Sequence, residues 1–463
     1  MHLKQFYLAC LSHASYLVAD EETKTAAVVD PQRDIDQYLK EAEAGGYSIK
    51  HVFLTHFHAD FVSGHLELRA KTGAAIHLGA AAKAEFSFEP MKDGGSLAMG
   101  GVVFRFLATP GHTPESTCVT VHEGAAAPPK AVFTGDTLFV GDVGRPDLMA
   151  SEGVTAAELA ERLYDSLRSK LLALPDDTTV YPAHGAGSMC GKNLGSELFT
   201  SIGQQRKFNY ALAPMPKAEF VRMVTADQPD APAYFRYDAG MNRRTRPTLE
   251  ESLAAELKPL SVDRARRLHD SGAQLLDTRD PDAFAAGHLP GSLNIGLGGK
   301  YATWAGTVLD PERPIVLVAE PGKERESAMR LGRIGFDKVA GYLDEDAASL
   351  DAGLEKTERV DAAELSRRMK APNPPVVLDV RGAGERAAAR IEPSVHVPLN
   401  RLREELAKVP HRPLVVHCAG GYRSSIAASM LREAGFGPVA DLIGGMGAWE
   451  EAGLPIQGEA DKS

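Results

Sequence analysis

Short apolar runs separated by polar turns mark the first half of the chain. Phe6-Tyr7-Leu8-Ala9-Cys10, Ser15-Tyr16-Leu17-Val18 and Ala26-Ala27-Val28-Val29-Asp30 read as three strands. Ile35 to Ala44 carries a helical pattern closed by Gly45-Gly46, and Val52-Phe53-Leu54 returns to a buried strand. That strand runs into the polar turn Thr55-His56-Phe57-His58-Ala59-Asp60-Phe61, after which Val62 to Lys71 is predicted as a second helix. Three more polar turns follow strand-like runs and place His112, Asp136 and His184. Clusters parked behind strands in this way collect at one sheet edge. Ser196 to Val224 is predicted to be helical, and Pro229 to Pro247 reads as an ordered linker.

The second half repeats itself with a period of roughly a hundred residues. One copy has Leu275-Leu276-Asp277-Thr278-Arg279, Gly287-His288-Leu289-Pro290-Gly291 and Ile315-Val316-Leu317-Val318. The other has Val377-Leu378-Asp379-Val380-Arg381 and Leu414-Val415-Val416-His417-Cys418. Alternation of strand and helix predicts a small parallel α/β domain in each.

Composition narrows the setting. A chain of 463 residues accommodates about three domains. Its net charge of -11, with no basic run, argues against a nucleic acid partner. No apolar run approaches the roughly 18 residues that cross a bilayer, and the first residues lack a signal-like core, so no membrane partner and a cytoplasmic location are expected. The four cysteines, Cys10, Cys118, Cys190 and Cys418, form no C-x-x-C pair, which excludes a disulfide framework in a reducing compartment. Cys10 and Cys118 read as small core residues.

Two imidazoles and a carboxylate at one strand end must be paired, solvated or bound to metal, and metal is the reading taken here. With His112, Asp136 and His184 added, the region resembles the metallo-β-lactamase fold in its glyoxalase II and persulfide dioxygenase branch. The resemblance implies an αββα sandwich over residues 1–247. Dinuclear zinc hydrolases of that fold need a further histidine directly after the aspartate, where this chain has Phe61. A phenyl ring cannot bind a metal, so a single ion is expected. The resemblance puts one Fe(II) per chain on His56, His112 and Asp136, the two-imidazole, one-carboxylate set of oxygen-activating iron enzymes. His58, Asp60 and His184 would orient those ligands or shape the pocket. Arg145 would overhang the metal and meet the acidic groups of a thiol carrier, or else pair with Asp142 or Asp147. Cys190, in a glycine-rich loop, could hold or relay a sulfur near the pocket mouth. His65 reads as a packing or surface histidine.

Both copies in the second half resemble the rhodanese fold, over residues 248–355 and 356–463. In the second, Cys418-Ala419-Gly420-Gly421-Tyr422-Arg423 leads from a strand into the helix predicted for Ser424 to Ala434. Successive backbone amides of Ala419, Gly420, Gly421 and Tyr422 would cradle a persulfide on a catalytic Cys418, and Arg423 would attract anionic acceptors such as sulfite. In the first copy the corresponding loop is taken as Glu320 to Arg325, so that a carboxylate replaces the nucleophile and the domain is silent. Arg386 to Pro393 replaces the usual Gly-His-Ile-Pro segment of the second copy and leaves its acceptor preference open.

Nearly the whole chain therefore resembles persulfide dioxygenase-rhodanese fusions. The resemblance implies an enzyme of sulfide detoxification that oxidises small thiol persulfides with O2 to sulfite and thiol. It would also pass sulfane sulfur through Cys418, making thiosulfate from sulfite or running the reverse. A homo-oligomer is implied as well. Two alternatives stand beside this reading: a glyoxalase II-like zinc thioesterase fused to a sulfurtransferase, and a protein whose rhodanese copies only recruit a sulfur-carrying partner.

Overall fold

Alternating side chains on the first strands build two faces of one sheet. Every residue of His13–Asp20 is buried, yet Tyr16 and Val18 face Phe53, Phe104, Val119 and Phe133, whereas Leu17 and Ala19 face Tyr38, Ala42 and Leu68. The first set joins the two sheets of the sandwich, where each buried phenyl ring contributes about 2 kcal/mol. The second packs under the helices Asp36–Gly45 and His65–Thr72. On the second sheet Cys118, Val132 and Val180 point outward onto Ala160 and Leu163 of helix Ala156–Ser166 and Phe220 and Val224 of helix Lys217–Thr225. The expected αββα layering follows. The computed structural model describes residues 1–148, 153–226, 228, 230–344 and 353–458.

The chain divides into two compact units, Met1–Leu249 with Gly332–Gly335, and Glu250–Leu331 with Phe336–Ser463. In the first, one six-stranded sheet runs in chain order from His2–Leu8 through His13–Asp20, Thr25–Val29, Ser48–Phe53 and Ala75–Gly79 to Glu89–Met91. The other runs in reverse chain order from Thr200–Ser201 through Thr179–Pro182, Ala131–Gly135, Thr117–Glu123 and Val102–Ala108 to Ser96–Met99. Ala131–Gly135 is parallel to Thr179–Pro182, and both it and Val102–Ala108 are antiparallel to Thr117–Glu123. The turns carrying His112, Asp136 and His184 therefore leave this sheet at the same edge.

The second unit holds two five-stranded parallel sheets with matching strand order. One is Pro259–Leu260, Val339–Leu343, Ile315–Val318, Gln274–Asp277, Ser292–Asn294; the other is Glu358–Val360, Val439–Leu442, Leu414–His417, Val376–Asp379, Val395–His396. Among the described residues no helix is long and apolar enough to cross a membrane.

Several local expectations shift. The helix after the metal motif begins at His65 rather than Val62, and the preceding Ser63 and Gly64 amides are held by Asn242 Oδ1 and the Pro31 carbonyl. The stretch from Ser196 resolves into the helices Ile202–Phe208 and Lys217–Thr225. The linker contains the helix Tyr234–Met241, while its first residue, Pro229, lies outside the described residues. The catalytic-loop helix spans Tyr422–Glu433. Cys118 is buried as expected, but Cys10 is only half-buried.

Candidate metal centre and sulfur-transfer loop

Two histidines and one aspartate converge with their free atoms inward. His56 Nε2 lies 3.8 Å and His112 Nε2 3.5 Å from Asp136 Oδ2, all buried. The opposite ring nitrogens are already engaged. His112 Nδ1 donates to the Arg145 carbonyl at 2.8 Å. Thr55 Oγ1 donates to Asp30 Oδ2 at 2.8 Å, so its oxygen is left to accept from His56 Nδ1 at 3.0 Å. Both rings are thereby oriented with Nδ1 engaged and Nε2 facing the aspartate, the orientation a metal bound through Nε2 requires. Asp136 Oδ2 accepts no hydrogen bond among the described residues. A buried carboxylate oxygen in that condition is costly unless a cation meets it, and the three atoms form a group that could hold one.

His184 plays a different part. Its Nδ1 is 2.8 Å from Asp136 Oδ1 and its Nε2 2.9 Å from Asp60 Oδ2. Burial works against charge on His184 and Asp136, but their attraction wins: with Asp60 helping, His184 is held well above the usual histidine range and Asp136 well below the carboxylate range. His58 Nε2 lies 3.1 Å from Asp30 Oδ1. His58, Asp60 and His184 also lie close enough to form a second potential cation group, and Asp136, His184 and Cys190 a third. Phe61 is buried against His13, ring centroids 3.9 Å apart, and 4.4 Å from the His58 ring.

Gly144 lets the loop after Asp136 lie close. A Cβ there would stand 1.9 Å from the Asp136 carbonyl oxygen and 3.2 Å from His112 Cβ. Arg145, next in the chain, pairs in a fork with Asp147 at 2.7 Å for both bonds, donates to the Met189 carbonyl, and is buried. Of the two readings offered by the sequence, the ion pair is the one formed, and with Asp147 rather than Asp142. Cys190 is not at a pocket mouth. It is 1% exposed beside Asp136 and His184, and burial together with the charges of Asp60 and Asp136 pushes its thiol well above the usual range. His65 is buried against Phe86, as a packing histidine.

In the second unit, Cys418 sits at the end of strand Leu414–His417 with its Sγ accepting from the Gly421 amide at 3.1 Å. Gly421 adopts φ +93, a left-handed turn that a side chain would strain, and this turn aims the amide at sulfur. Ser424 Oγ is 3.7 Å from the same sulfur. Burial pushes the adjacent His417 down to about 4, so it is neutral at pH 7. Ala419 and Gly420 are exposed. Tyr422 spends its hydroxyl on the Gly296 carbonyl at 2.7 Å, and Arg423 forms a fork with Glu385 at 2.6 and 2.8 Å.

Sheet register also moves the corresponding loop of the first copy by one residue. Asp277 pairs with Val318 as Asp379 pairs with His417, so Ala319, not Glu320, occupies the place of Cys418. Gly322, with φ +84, then matches Gly421, and Glu324 matches Arg423. The copy still lacks a nucleophile, but a methyl group replaces the thiol. In both copies the Asp-x-Arg arginine folds back on its own aspartate and donates to a carbonyl eight residues on: Arg279 to Asp277 and Gly287, Arg381 to Asp379 and Ala389.

Comparison with known proteins assigns both halves. The metallo-beta-lactamase superfamily profile matches residues 8–184, and the rhodanese-like domain profile matches residues 261–357 and 361–452. The hydroxyacylglutathione hydrolase GloC of Haemophilus influenzae is 30% identical over 215 residues, 42% of this chain and 89% of that protein. The chain belongs to the metallo-beta-lactamase superfamily. Two rhodanese-like domains follow its metallo-beta-lactamase domain. The human mitochondrial persulfide dioxygenase ETHE1 is 30% identical over 190 residues, 39% of this chain and 67% of that protein. A crystal structure of a Staphylococcus aureus metallo-beta-lactamase is 30% identical with a TM-score of 0.65, covering 74% of this chain and 98% of that one.

Some groups around the metallo-beta-lactamase site escaped sequence reading. Asp30 ends strand Thr25–Val29 and holds both the Thr55 amide and hydroxyl; its position at a strand end was a usable signal. Asn242 grips the metal-motif loop through the His58 and Phe61 carbonyls, both at 2.8 Å, and through the Ser63 amide at 2.7 Å. Nothing local in the sequence marks Asn242, His13 or Glu385 for these contacts.

Proposed function

We propose that the N-terminal domain oxidises a low-molecular-weight persulfide with O2 at one iron held by His56, His112 and Asp136, and that the C-terminal domain transfers sulfane sulfur through Cys418. The overall oxidation is RSSH + O2 + H2O to RSH and sulfurous acid, ionised to sulfite near pH 7. Ferrous iron in such a site supplies the redox chemistry that joins O2 to a persulfide sulfur. The chain's own residues bind and orient. The Arg145 carbonyl and Thr55 hydroxyl fix the two imidazoles, while His184 carries a proton between Asp60 and Asp136. The observation that carries this reading is the convergence of two Nε2 atoms on an Asp136 Oδ2 that accepts no hydrogen bond among the described residues, with the Phe61 ring packed on His58 at the position where a second ion's imidazole would be needed.

In the sulfurtransferase half, the Cys418 thiolate attacks the outer sulfur of a persulfide, the S–S bond breaks, and RS⁻ leaves. Sulfite then takes that sulfur as thiosulfate and returns the thiolate. The Gly421 amide stands ready to stabilise charge on sulfur throughout.

A zinc thioesterase remains the rival, supported by the second grouping of His58, Asp60 and His184 and by the likeness to GloC. Metal content and oxygen uptake decide between them. One iron per chain and O2 consumption on adding a thiol persulfide are expected, with His112→Ala stopping uptake and Cys418→Ser leaving uptake but abolishing thiosulfate formation. Two zincs per chain with no oxygen uptake would replace this reading by the rival.

A further inference from the structure

Lys83, Arg236, Arg243 and Arg244 line a cavity of about 490 Å³ against a single carboxylate, Glu85. An excess of three positive charges in one cleft stands out on a chain whose net charge is -11. The cleft is joined to the metal motif. The Arg243 guanidinium lies over the Phe57 ring, 5.4 Å from its centroid, and Phe57 stands between His56 and His58. Asn242, the preceding residue, holds the His58 and Phe61 carbonyls. Glu85 is drawn into the same framework, its amide donating to the Arg243 carbonyl at 2.8 Å and its carboxylate accepting from the Thr245 amide at 3.1 Å. Among the described residues lining the cleft Glu85 is the one acidic group, and one of its oxygens accepts from backbone.

We infer that this cleft binds the phosphate-bearing end of the thiol carrier whose persulfide is oxidised, an inference that rests on the persulfide reading above. Several guanidinium forks around one cavity match phosphate oxygens in geometry as well as charge. A peptidic carrier such as glutathione brings two carboxylates and an ammonium, and the ammonium is repelled by the same cations. A carrier such as coenzyme A brings several negative charges and no ammonium. Anchoring the tail on the residues next to the metal loop would hold the sulfur end in position, converting remote binding into orientation at the reacting atoms.

Calorimetric titration of the full-length protein with coenzyme A and with glutathione tests this without turnover. Coenzyme A should bind wild type more tightly than glutathione does, and more weakly as salt rises. Arg236→Gln with Arg244→Gln should weaken coenzyme A by about tenfold or more, and glutathione by less than about twofold. Both side chains are exposed, and the paired change to lysine, which keeps the charge but loses the fork, should recover only part of the affinity that the glutamine variant loses. Equal coenzyme A affinity in wild type and the glutamine variant would overturn the inference, as would a parallel loss of both ligands. Absence of oxygen uptake by the wild type would strike the oxidative reading instead and leave the titration standing.

Discussion

Arg423 and Glu385 form a two-pronged ion pair at the edge of the Cys418 loop, with N–O distances of 2.6 and 2.8 Å. The cation that a sulfur-transfer loop offers to anionic acceptors is thus already matched by a carboxylate on helix Ala383–Ala388. An incoming sulfite or thiosulfate must compete with it. Glu385→Gln should therefore lower the KM for thiosulfate about two- to fivefold, in keeping with the modest strength of a partly exposed pair. Steady-state thiosulfate-to-cyanide transfer measures this, and a raised KM would show that the pair serves to hold Arg423 in place for the acceptor.

Asn242 provides a second prediction. Its side chain is fully buried and makes three hydrogen bonds to the backbone of residues 58 to 63. Asn242→Ala leaves two carbonyls and an amide without partners and should cost about 2–4 kcal/mol. Because the loop it grips carries His56 and His58, the variant should also retain less metal. Thermal unfolding together with metal analysis after dialysis checks both effects.

A pH effect follows from Glu67. Burial would raise its carboxyl, but Arg246 and Arg33 more than offset this and lower it from 4.5 to about 2. A depressed carboxyl contributes stability that is fully present above pH 4.5 and is lost as pH falls through that interval toward 2. The contribution is about 3 kcal/mol. Acid unfolding of wild type should steepen across this window. Glu67→Gln should be destabilised by about 3–5 kcal/mol at neutral pH, since two buried guanidiniums lose one shared buried carboxylate, and should lack this part of the acid dependence.

The offset in the silent loop makes a fourth prediction. Ala319→Cys puts a thiol where Cys418 stands in the other copy, but Glu324 occupies the place of Arg423. Introduced together with Cys418→Ser, it should give no thiosulfate-to-cyanide transfer, because the carboxylate repels the anionic donor. Transfer at a measurable rate would mean that the loop amides suffice by themselves.

The candidate metal residues were legible because each lies in a short turn behind an apolar strand, so local pattern alone places His56, His112, Asp136 and His184 at strand ends. Cys418 was legible for a similar reason, its loop being continuous in the chain. What stayed hidden depends on partners brought from far along the sequence. Asp30 reaches Thr55, Asn242 reaches His58, and Glu385 reaches Arg423 only after folding. The use of Tyr422 by Gly296 belongs to the packing of one repeat on the other. The shift from Glu320 to Ala319 required sheet register, since residue spacing in a glycine-containing loop does not say where the strand stops.

The Asp-x-Arg brace recurs with the same bonding in a half that has a thiol and in a half that has none. It is masonry, indifferent to whether a thiol stands next door. A search that keys on those two letters would count this chain twice, whereas the side chains at 319 and 418, and at 324 and 423, tell the copy with a thiol from the copy without one.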